Sequence, residues 1–327
     1  MNRPWGAMLA ALVLAVFQTS AQGQAPSAFP SRPIRLITLT SAGGSLDILA
    51  RTLAQNLAER LGQPVVVENR TGAGGNIGAD IVAKAAPDGY TIGMNTISTH
   101  GINPSLYGKS MPFDAIKDFA PISLAAELNN VIVVHPSVPA VNIQELIRYA
   151  RANPNKLSFG SAGTGTSQHL AGEMFKMATG TQMTHVPYKG AAQAVPDLVS
   201  GQIQLMFVSI PDVIAHIKSG RLRPIGVTAR NRSAALPDLV PVAEQGLKDF
   251  EVRTWFGVVA PAGTPRDIVS RYNAEIARIL AQPDVRARLT SIGLDPVTMS
   301  PDEFAAFIRE EIARWTLVVN ASGAKVN

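Results

Sequence analysis

The chain has 327 residues, of which 46% are hydrophobic and 16% charged, and it contains no cysteine. This composition is sufficient for one large core or two ordinary ones and excludes a mainly disordered chain. The missing cysteine excludes disulfide scaffolds, thiolate metal sites and cysteine nucleophiles. The formal charge of +5 comes from basic residues that are scattered among acidic ones. We therefore expect no nucleic-acid partner, since such proteins cluster their basic residues.

The first 25 residues have the pattern of a secretory signal. Arg3 precedes an apolar run at residues 7–17, and small residues follow the run. The run is shorter than the roughly 20 apolar residues that cross a bilayer. We therefore predict an exported protein, and one that is not a lipoprotein because it has no cysteine for lipid attachment.

Short apolar runs then alternate with amphipathic helical patterns. Residues 34–40 are predicted to form a buried strand, and leucines at helical spacing predict a helix over residues 46–61. Further strands are predicted at residues 64–68, 90–96, 131–134, 157–160, 184–188, 203–208, 223–228 and 250–260. Further helices are predicted near residues 76–86, 142–152, 167–179, 191–200, 265–281 and 301–319. This alternation predicts right-handed crossovers and mostly parallel sheets.

The order of the elements favours two α/β domains with two crossing segments, near residues 124–130 and 251–257. We assign residues 26–126 to the first domain and residues 127–251 to the second, and residues 252–327 return to the first. The cleft between the domains is the expected ligand site, because α/β proteins bind ligands at strand carboxyl ends and domain interfaces.

Sequence motifs for common catalytic sites are incomplete. Asn103 stands where a P-loop needs glycine, and Ile77 replaces the third glycine of the dinucleotide fingerprint that starts at Gly72. Phe159 occupies the glycine position two residues before Ser161 in a nucleophile elbow. No His-x-x-x-His pair encloses a glutamate, although a zinc site built from distant histidines stays open. We predict no catalytic residue, no cofactor and no metal ligand.

Three predicted strands lead into loops of small and hydroxyl residues. These loops are residues 40–45, 96–100 and 160–167. Glycine-rich backbone, helix N-termini and hydroxyl groups together suit a carboxylate or a phosphate. Each loop alone is better explained by ordinary turns and helix caps. Three of them at strand ends, divided between two domains, favour an anion site.

Nine segments along the chain together resemble one known family. They are residues 33–36, 43–51, 67–79, 87–91, 102–107, 117–121, 163–173, 185–190 and 255–265. In this order they are similar to the periplasmic solute receptors of tripartite tricarboxylate transporters, often called Bug-type receptors. The resemblance implies an α/β, two-domain periplasmic-binding-protein (Venus-flytrap) fold, with a mostly parallel sheet in each domain, that closes around a small carboxylate. It also implies membrane subunits of a tripartite transporter as partners, and we expect a monomer.

The loops and the resemblance together indicate a set of ligand-binding residues. The family's first contact loop matches residues 40–45, its second-domain contacts match the loop after residue 160, and residues 98–100 are neighbours. The candidates are Thr40, Ser41, Ala42, Gly43, Gly44, Ser45, Ser98, Thr99, His100, Ser161, Gly163, Thr166, Ser167 and Ser209.

Two departures from the family's pattern bear on the ligand. Residues 39–44 lack the prolines that commonly lead into the first loop, and they carry the hydroxyls of Thr40 and Ser41 instead. Val208 stands where an aspartate commonly follows Met-Phe, which makes an amino-acid ligand less expected and leaves Ser209 as a weaker contact.

Two alternative functions stay open. An exported ligand sensor would need the same cleft but a signalling partner. An exported hydrolase would use Ser98 or Ser161 together with a histidine.

Overall fold

The structure is a computed structural model that describes residues 29–230 and 232–322. The predicted signal segment, residues 1–25, lies outside the described residues. Within the described ranges, no helix has both the length and the apolar character needed to cross a membrane.

Ten strands lie in the described part of the chain. In chain order they are β1 (Ile34–Thr38), β2 (Val65–Asn69), β3 (Thr91–Thr96), β4 (Phe119–Val134), β5 (Ser158–Ser161), β6 (Thr184–Pro187), β7 (Leu205–Ser209), β8 (Arg223–Val227), β9 (Arg253–Pro261) and β10 (Leu294–Pro296).

Ten α-helices alternate with these strands over the same described ranges. They are α1 (Ser45–Leu61), α2 (Asn76–Ala83), α3 (Asn103–Tyr107), α4 (Ile143–Ala152), α5 (Ser167–Thr179), α6 (Ala191–Val199), α7 (Ile210–Lys218), α8 (Arg266–Ala281), α9 (Pro283–Ser291) and α10 (Pro301–Ser322).

Helix α1 shows how the local sequence sets an element. Leu46, Leu49, Leu53 and Leu57 recur at helical spacing and are all buried against the sheet. The helix ends at Gly62, whose φ of 71° is left-handed and whose N–H donates to the carbonyl of Ala58. The predicted helix over residues 46–61 is therefore confirmed.

The strands form one mixed sheet in the order β2-β1-β3-β9-β4-β7-β5-β6, and β8 and β10 also pair with β4. Strand β1 pairs parallel with β2 and β3, and β5 pairs parallel with β6 and β7. Each half of the molecule thus has three parallel strands, as the predicted α/β fold requires. Antiparallel strands β4 and β9 lie between the two sets.

Strand β4 passes from one half to the other. Residues 119–129 pair with β9, whereas residues 130–134 pair with β7 and β8. The two predicted crossing segments are neighbours here, because Glu127 lies opposite Trp255 and Leu128 opposite Thr254. Strands β4 and β9 therefore lie side by side where the chain is predicted to cross between domains.

Candidate functional site

A cleft of about 880 Å³ lies between the two halves, at the carboxyl ends of the parallel strands. Its walls come from the loop after β1, the turn at residues 72–75 and the end of β3 in one half. In the other half they come from residues 162–169, from residues 185–191 and from the start of α7. Residues of β9 form part of the lining. This position agrees with the expected location of a ligand site in an open α/β sheet.

The loop after β1 contains unused hydrogen-bond donors in residues that line the cleft. The side-chain oxygens of Thr40 and Ser41 are buried, and neither has a hydrogen-bond partner among the described residues. The N-cap of α1 is Gly44, which has no side chain to cap the helix. A buried polar group without a partner costs about 1–3 kcal/mol, so an acceptor bound here would recover that free energy. The loop and the helix N-terminus are therefore suited to an anion.

Asp47 fixes the shape of this loop from behind. One of its carboxylate oxygens accepts the N–H of Gly43 at 2.9 Å and Nε of Arg51 at 2.8 Å, and the other accepts Nδ2 of Asn69 at 2.9 Å. Burial acts to raise the pKa of Asp47, but these hydrogen bonds outweigh it and hold the pKa below its ordinary value. Asp47 stays charged and has a structural role.

The segment after β3 contributes less to the cleft than predicted. Ser98 lines it, whereas Thr99 and His100 do not. The ring of His100 is fully buried beside Phe119, with 4.5 Å between ring centroids, and Nδ1 lies 3.0 Å from Oγ1 of Thr99. Burial lowers the pKa of His100 to about 3. His100 is a neutral core residue.

The third loop carries its own internal hydrogen bonds. Oγ1 of Thr166 caps α5 by accepting the N–H of His169 at 3.3 Å, and it donates to the carbonyl of Gly163 at 2.7 Å. Gly163 adopts a φ of 134°, which a residue with a side chain rarely adopts. The loop therefore faces the cleft in a preset shape.

Two histidines form a stacked pair in this wall. The rings of His169 and His185 lie 4.2 Å apart between centroids, and both residues line the cleft. Burial lowers the pKa of both, to about 3 for His185. Both imidazoles are thus neutral at neutral pH and supply hydrogen bonds and stacking surface without positive charge.

The structure brings Ser161 and His185 together, with 2.7 Å between Oγ and Nε2. Ser161 is fully buried and does not line the cleft, and its hydroxyl also donates to the carbonyl of Gly163. A histidine with a pKa of about 3 is a weak base at neutral pH. The burial of Ser161 and the lowered pKa of His185 both weigh against use of this pair as the nucleophile and base of a hydrolase.

A hydrogen-bonded group of four side chains lies where the halves join. Oδ1 of Asn130 in β4 accepts from Oγ of Ser209 at 3.0 Å and from Oγ1 of Thr254 at 3.3 Å. Oγ1 of Thr254 also lies 3.2 Å from Oγ of Ser167. The group links both connecting strands to the N-terminal ends of α5 and α7.

Asp212 makes a direct bond between the halves. The N–H of Ser45, at the start of α1, donates to Oδ1 of Asp212 over 2.7 Å. Burial raises the pKa of Asp212 to about 6, although hydrogen bonds from Ser45 oppose this rise. The sequence predictions missed Asp212. Its position one residue after Pro211, in the first turn of a helix that directly follows Ser209, is the signal that points to it.

Of the fourteen predicted site residues, nine line the cleft: Thr40, Ser41, Gly44, Ser45, Ser98, Gly163, Thr166, Ser167 and Ser209. The other five do not: Ala42, Gly43, Thr99, His100 and Ser161. The described residues include no group of three or more histidine, cysteine, aspartate or glutamate side chains placed to hold a metal ion.

The sequence matches the family model described as "Tripartite tricarboxylate transporter family receptor" over residues 49–324. BugT of Bordetella pertussis is 37% identical over 318 residues, which cover 96% of this chain and 97% of BugT.

Solved structures agree with this match. Rpa4515 of R. palustris, determined with adipate, is 37% identical with a TM-score of 0.88, and the match covers 91% of this chain and all of that one. MatC of Rhodopseudomonas palustris, determined with bound malate, is 33% identical with a TM-score of 0.85, and the match covers 89% of this chain and all of that one. These similarities confirm the predicted periplasmic-binding-protein fold.

Proposed function

We propose that this chain, which belongs to the family of tripartite tricarboxylate transporter receptors, is a periplasmic solute receptor. It binds a small organic carboxylate in the cleft and delivers it to the membrane subunits of a transporter. The observation that carries the proposal is the pair of buried, unpartnered hydroxyls of Thr40 and Ser41 beside the N-terminus of α1, whose N-cap residue, Gly44, has no side chain. The relatives determined with adipate and malate support a carboxylate as the ligand.

A receptor of this kind needs two bodies that move about a hinge. We assign the first body to residues 26–126 and 252–327 and the second to residues 127–251. Strands β4 and β9 cross between them side by side. Closure would remove water from the cleft and strengthen the hydrogen bonds to a bound carboxylate.

Export through a signal at residues 1–25 without a lipid anchor is part of the same proposal, as is action as a monomer. A receptor needs no catalytic group, and the buried Ser161 agrees with that role. A sensor that reports to a signalling partner would use the same cleft. Genes for membrane transport subunits beside this gene would favour transport, and a gene for a sensor kinase would favour sensing.

The proposal is tested by a thermal-shift screen of mono-, di- and tricarboxylates, with neutral sugars and amines as matched controls. Mass action predicts that a binding acid at 100 times its Kd stabilises the protein by about 2.7 kcal/mol. A rise in Tm with sugars or amines alone would overturn the proposal. A receptor is expected to release the bound acid unchanged after long incubation. Turnover of the acid would instead support the alternative function, an exported hydrolase.

A further inference from the structure

We propose that Asp212 selects the ligand, and that the preferred carboxylate carries a hydrogen-bond donor, a hydroxyl or an ammonium group, on the carbon beside its carboxylate. This inference rests on the proposed function and adds to it the chemical class of the ligand. It is carried by the position of Asp212, by its remaining hydrogen-bonding capacity and by the charges that line the cleft.

The position of Asp212 places an acceptor next to the expected anion site. Its Oδ1 lies 2.7 Å from the N–H of Ser45, and Ser45 and Gly44 belong to the loop that offers donors to a ligand carboxylate. Any carboxylate bound by that loop therefore has a second carboxylate, that of Asp212, as its neighbour. Like charges this close repel, unless a donor on the ligand lies between them.

Asp212 keeps acceptor sites for such a donor. An ionised carboxylate offers about four lone-pair positions and no hydrogen. Ser45 uses part of that capacity through hydrogen bonds from its backbone and its side chain. Because Asp212 lines the cleft, its remaining positions are available to a donor on a bound ligand.

The charges of the cleft agree with this assignment. The charged side chains that line it are Lys189, Glu173 and Asp212, and the two lining histidines have lowered pKa values. Glu173 is already paired with Lys176 at 2.8 Å, which leaves one cation, Lys189, against one anion, Asp212. Side-chain charge therefore does not by itself attract an anion. The backbone and hydroxyl donors bind the carboxylate, and Asp212 favours a ligand that also donates.

The test compares acids that differ only in the substituent beside the carboxylate. Propionate, lactate and alanine form one such set, succinate, malate and aspartate a second, and glutarate, 2-hydroxyglutarate and glutamate a third. Calorimetry on the wild-type protein is expected to give at least a tenfold lower Kd for the hydroxy or amino acid than for the unsubstituted acid in the set that binds best. The tighter of the two substituted acids identifies the donor as hydroxyl or ammonium.

Asp212→Asn is the decisive variant, because the amide keeps the size of the carboxylate and offers a donor in place of an acceptor. The tenfold preference is expected to disappear, with succinate or glutarate binding more tightly than to the wild type. Asp284→Asn, which removes an exposed carboxylate from α9, is the matched control and is expected to keep the preference.

Three outcomes would overturn the inference. If unsubstituted acids bind the wild-type protein as tightly as their hydroxy and amino counterparts, the ligand class is wrong while the carboxylate receptor stands. If the preference survives in Asp212→Asn, a group other than Asp212 accepts the hydrogen bond from the hydroxyl or ammonium group of the ligand. If no acid of any set binds, the proposed function fails and this inference fails with it. The first comparison needs only the wild-type protein and so does not depend on the folding of the variant.

Discussion

Gly74 and Thr164 face each other across the cleft so closely that no methyl group fits between them. A β-carbon built on Gly74 would lie 2.6 Å from the carbonyl oxygen of Thr164. Gly74 belongs to the turn that follows β2, and Thr164 belongs to the loop before α5, so their contact is one between the two halves. Because the opposing atom belongs to the backbone, a rotamer change cannot relieve the contact.

Gly74→Ala is therefore expected to weaken ligand binding by holding the halves apart. Gly180→Ala is the matched control, since Gly180 has a nearly identical φ, 64° against 63°, and has no atom within 4 Å of the built β-carbon. Both variants should lose about 1–2 kcal/mol of stability from left-handed strain. Only Gly74→Ala should raise the Kd, by tenfold or more in calorimetry. Equal affinity in the two variants would show that this contact does not limit closure.

Thr166→Ala is expected to destabilise the protein through α5. Loss of an N-cap hydroxyl costs about 1 kcal/mol, and the hydrogen bond to the carbonyl of Gly163 is lost with it. Thr166→Ser keeps the hydroxyl and should retain most of the stability. Urea denaturation of the three proteins measures the difference, and an unchanged midpoint in Thr166→Ala would refute the capping role.

The shared acceptor Asn130 predicts coupling between Ser209 and Thr254. Ser209→Ala or Thr254→Val alone leaves Oδ1 of Asn130 with one donor. The double variant leaves a buried acceptor with none, at an additional cost of about 1–3 kcal/mol. A double-mutant cycle in urea should therefore show a loss larger than the sum of the single losses, whereas strict additivity would contradict the shared bond.

Buried His100 predicts a loss of stability in acid. Its pKa is about 3 in the folded protein against an ordinary value of 6.5. Between these values the unfolded chain binds a proton that the folded chain does not, so the free energy of unfolding decreases as the pH falls, by about 1.4 kcal/mol per pH unit for one such proton. His100→Gln should reduce the slope of unfolding free energy against pH between pH 6 and 4. The reduction should be at most that of one proton, about 1.4 kcal/mol per pH unit. An identical slope in the wild type and in His100→Gln would show that His100 is not the group responsible for the loss of stability.

Asp212 is expected to change the stability with pH in the opposite direction to His100. Its folded pKa of about 6 lies above the ordinary 3.8. Its contribution to stability is complete below pH 3.8 and is lost as the pH rises through 6. The difference in unfolding free energy between the wild type and Asp212→Asn should therefore favour the wild type most near pH 3.8 and least above pH 6. Protonation also adds a donor, so the preference for hydroxy or amino acids should decrease between pH 7 and 5 in calorimetry.

The local sequence pattern predicts the bounds of those elements in which the spacing of apolar residues decides which face is buried. The helices predicted at residues 265–281 and 191–200 agree with α8 and α6 to within one residue at each end. The sequence did not reveal that β4 begins at Phe119, because Ser123, Glu127, Asn129 and Asn130 interrupt its apolar run. Its extended form depends on pairing with β9, more than one hundred residues later.

The same limit applies to the site. The hydroxyls of Thr40 and Ser41 were predicted from the local motif, since a loop between a strand and a helix N-terminus is recognisable in sequence. The bond from Ser45 to Asp212 joins residues 167 positions apart, and no spacing rule relates them. His100 was misplaced because sequence does not tell which face of the turn at residues 98–102 packs on Phe119.

The place of β9 in the sheet sets an order of events during folding. This strand lies between β3 and β4, both of which are synthesised long before it. Until residue 261 is available, β3 and β4 each have an open edge where β9 belongs, and the sheet cannot close. Such distant pairing makes folding slow. The sheet therefore stays incomplete until residue 261 of 327 has been made, which suits the proposed export of a chain that is still unfolded.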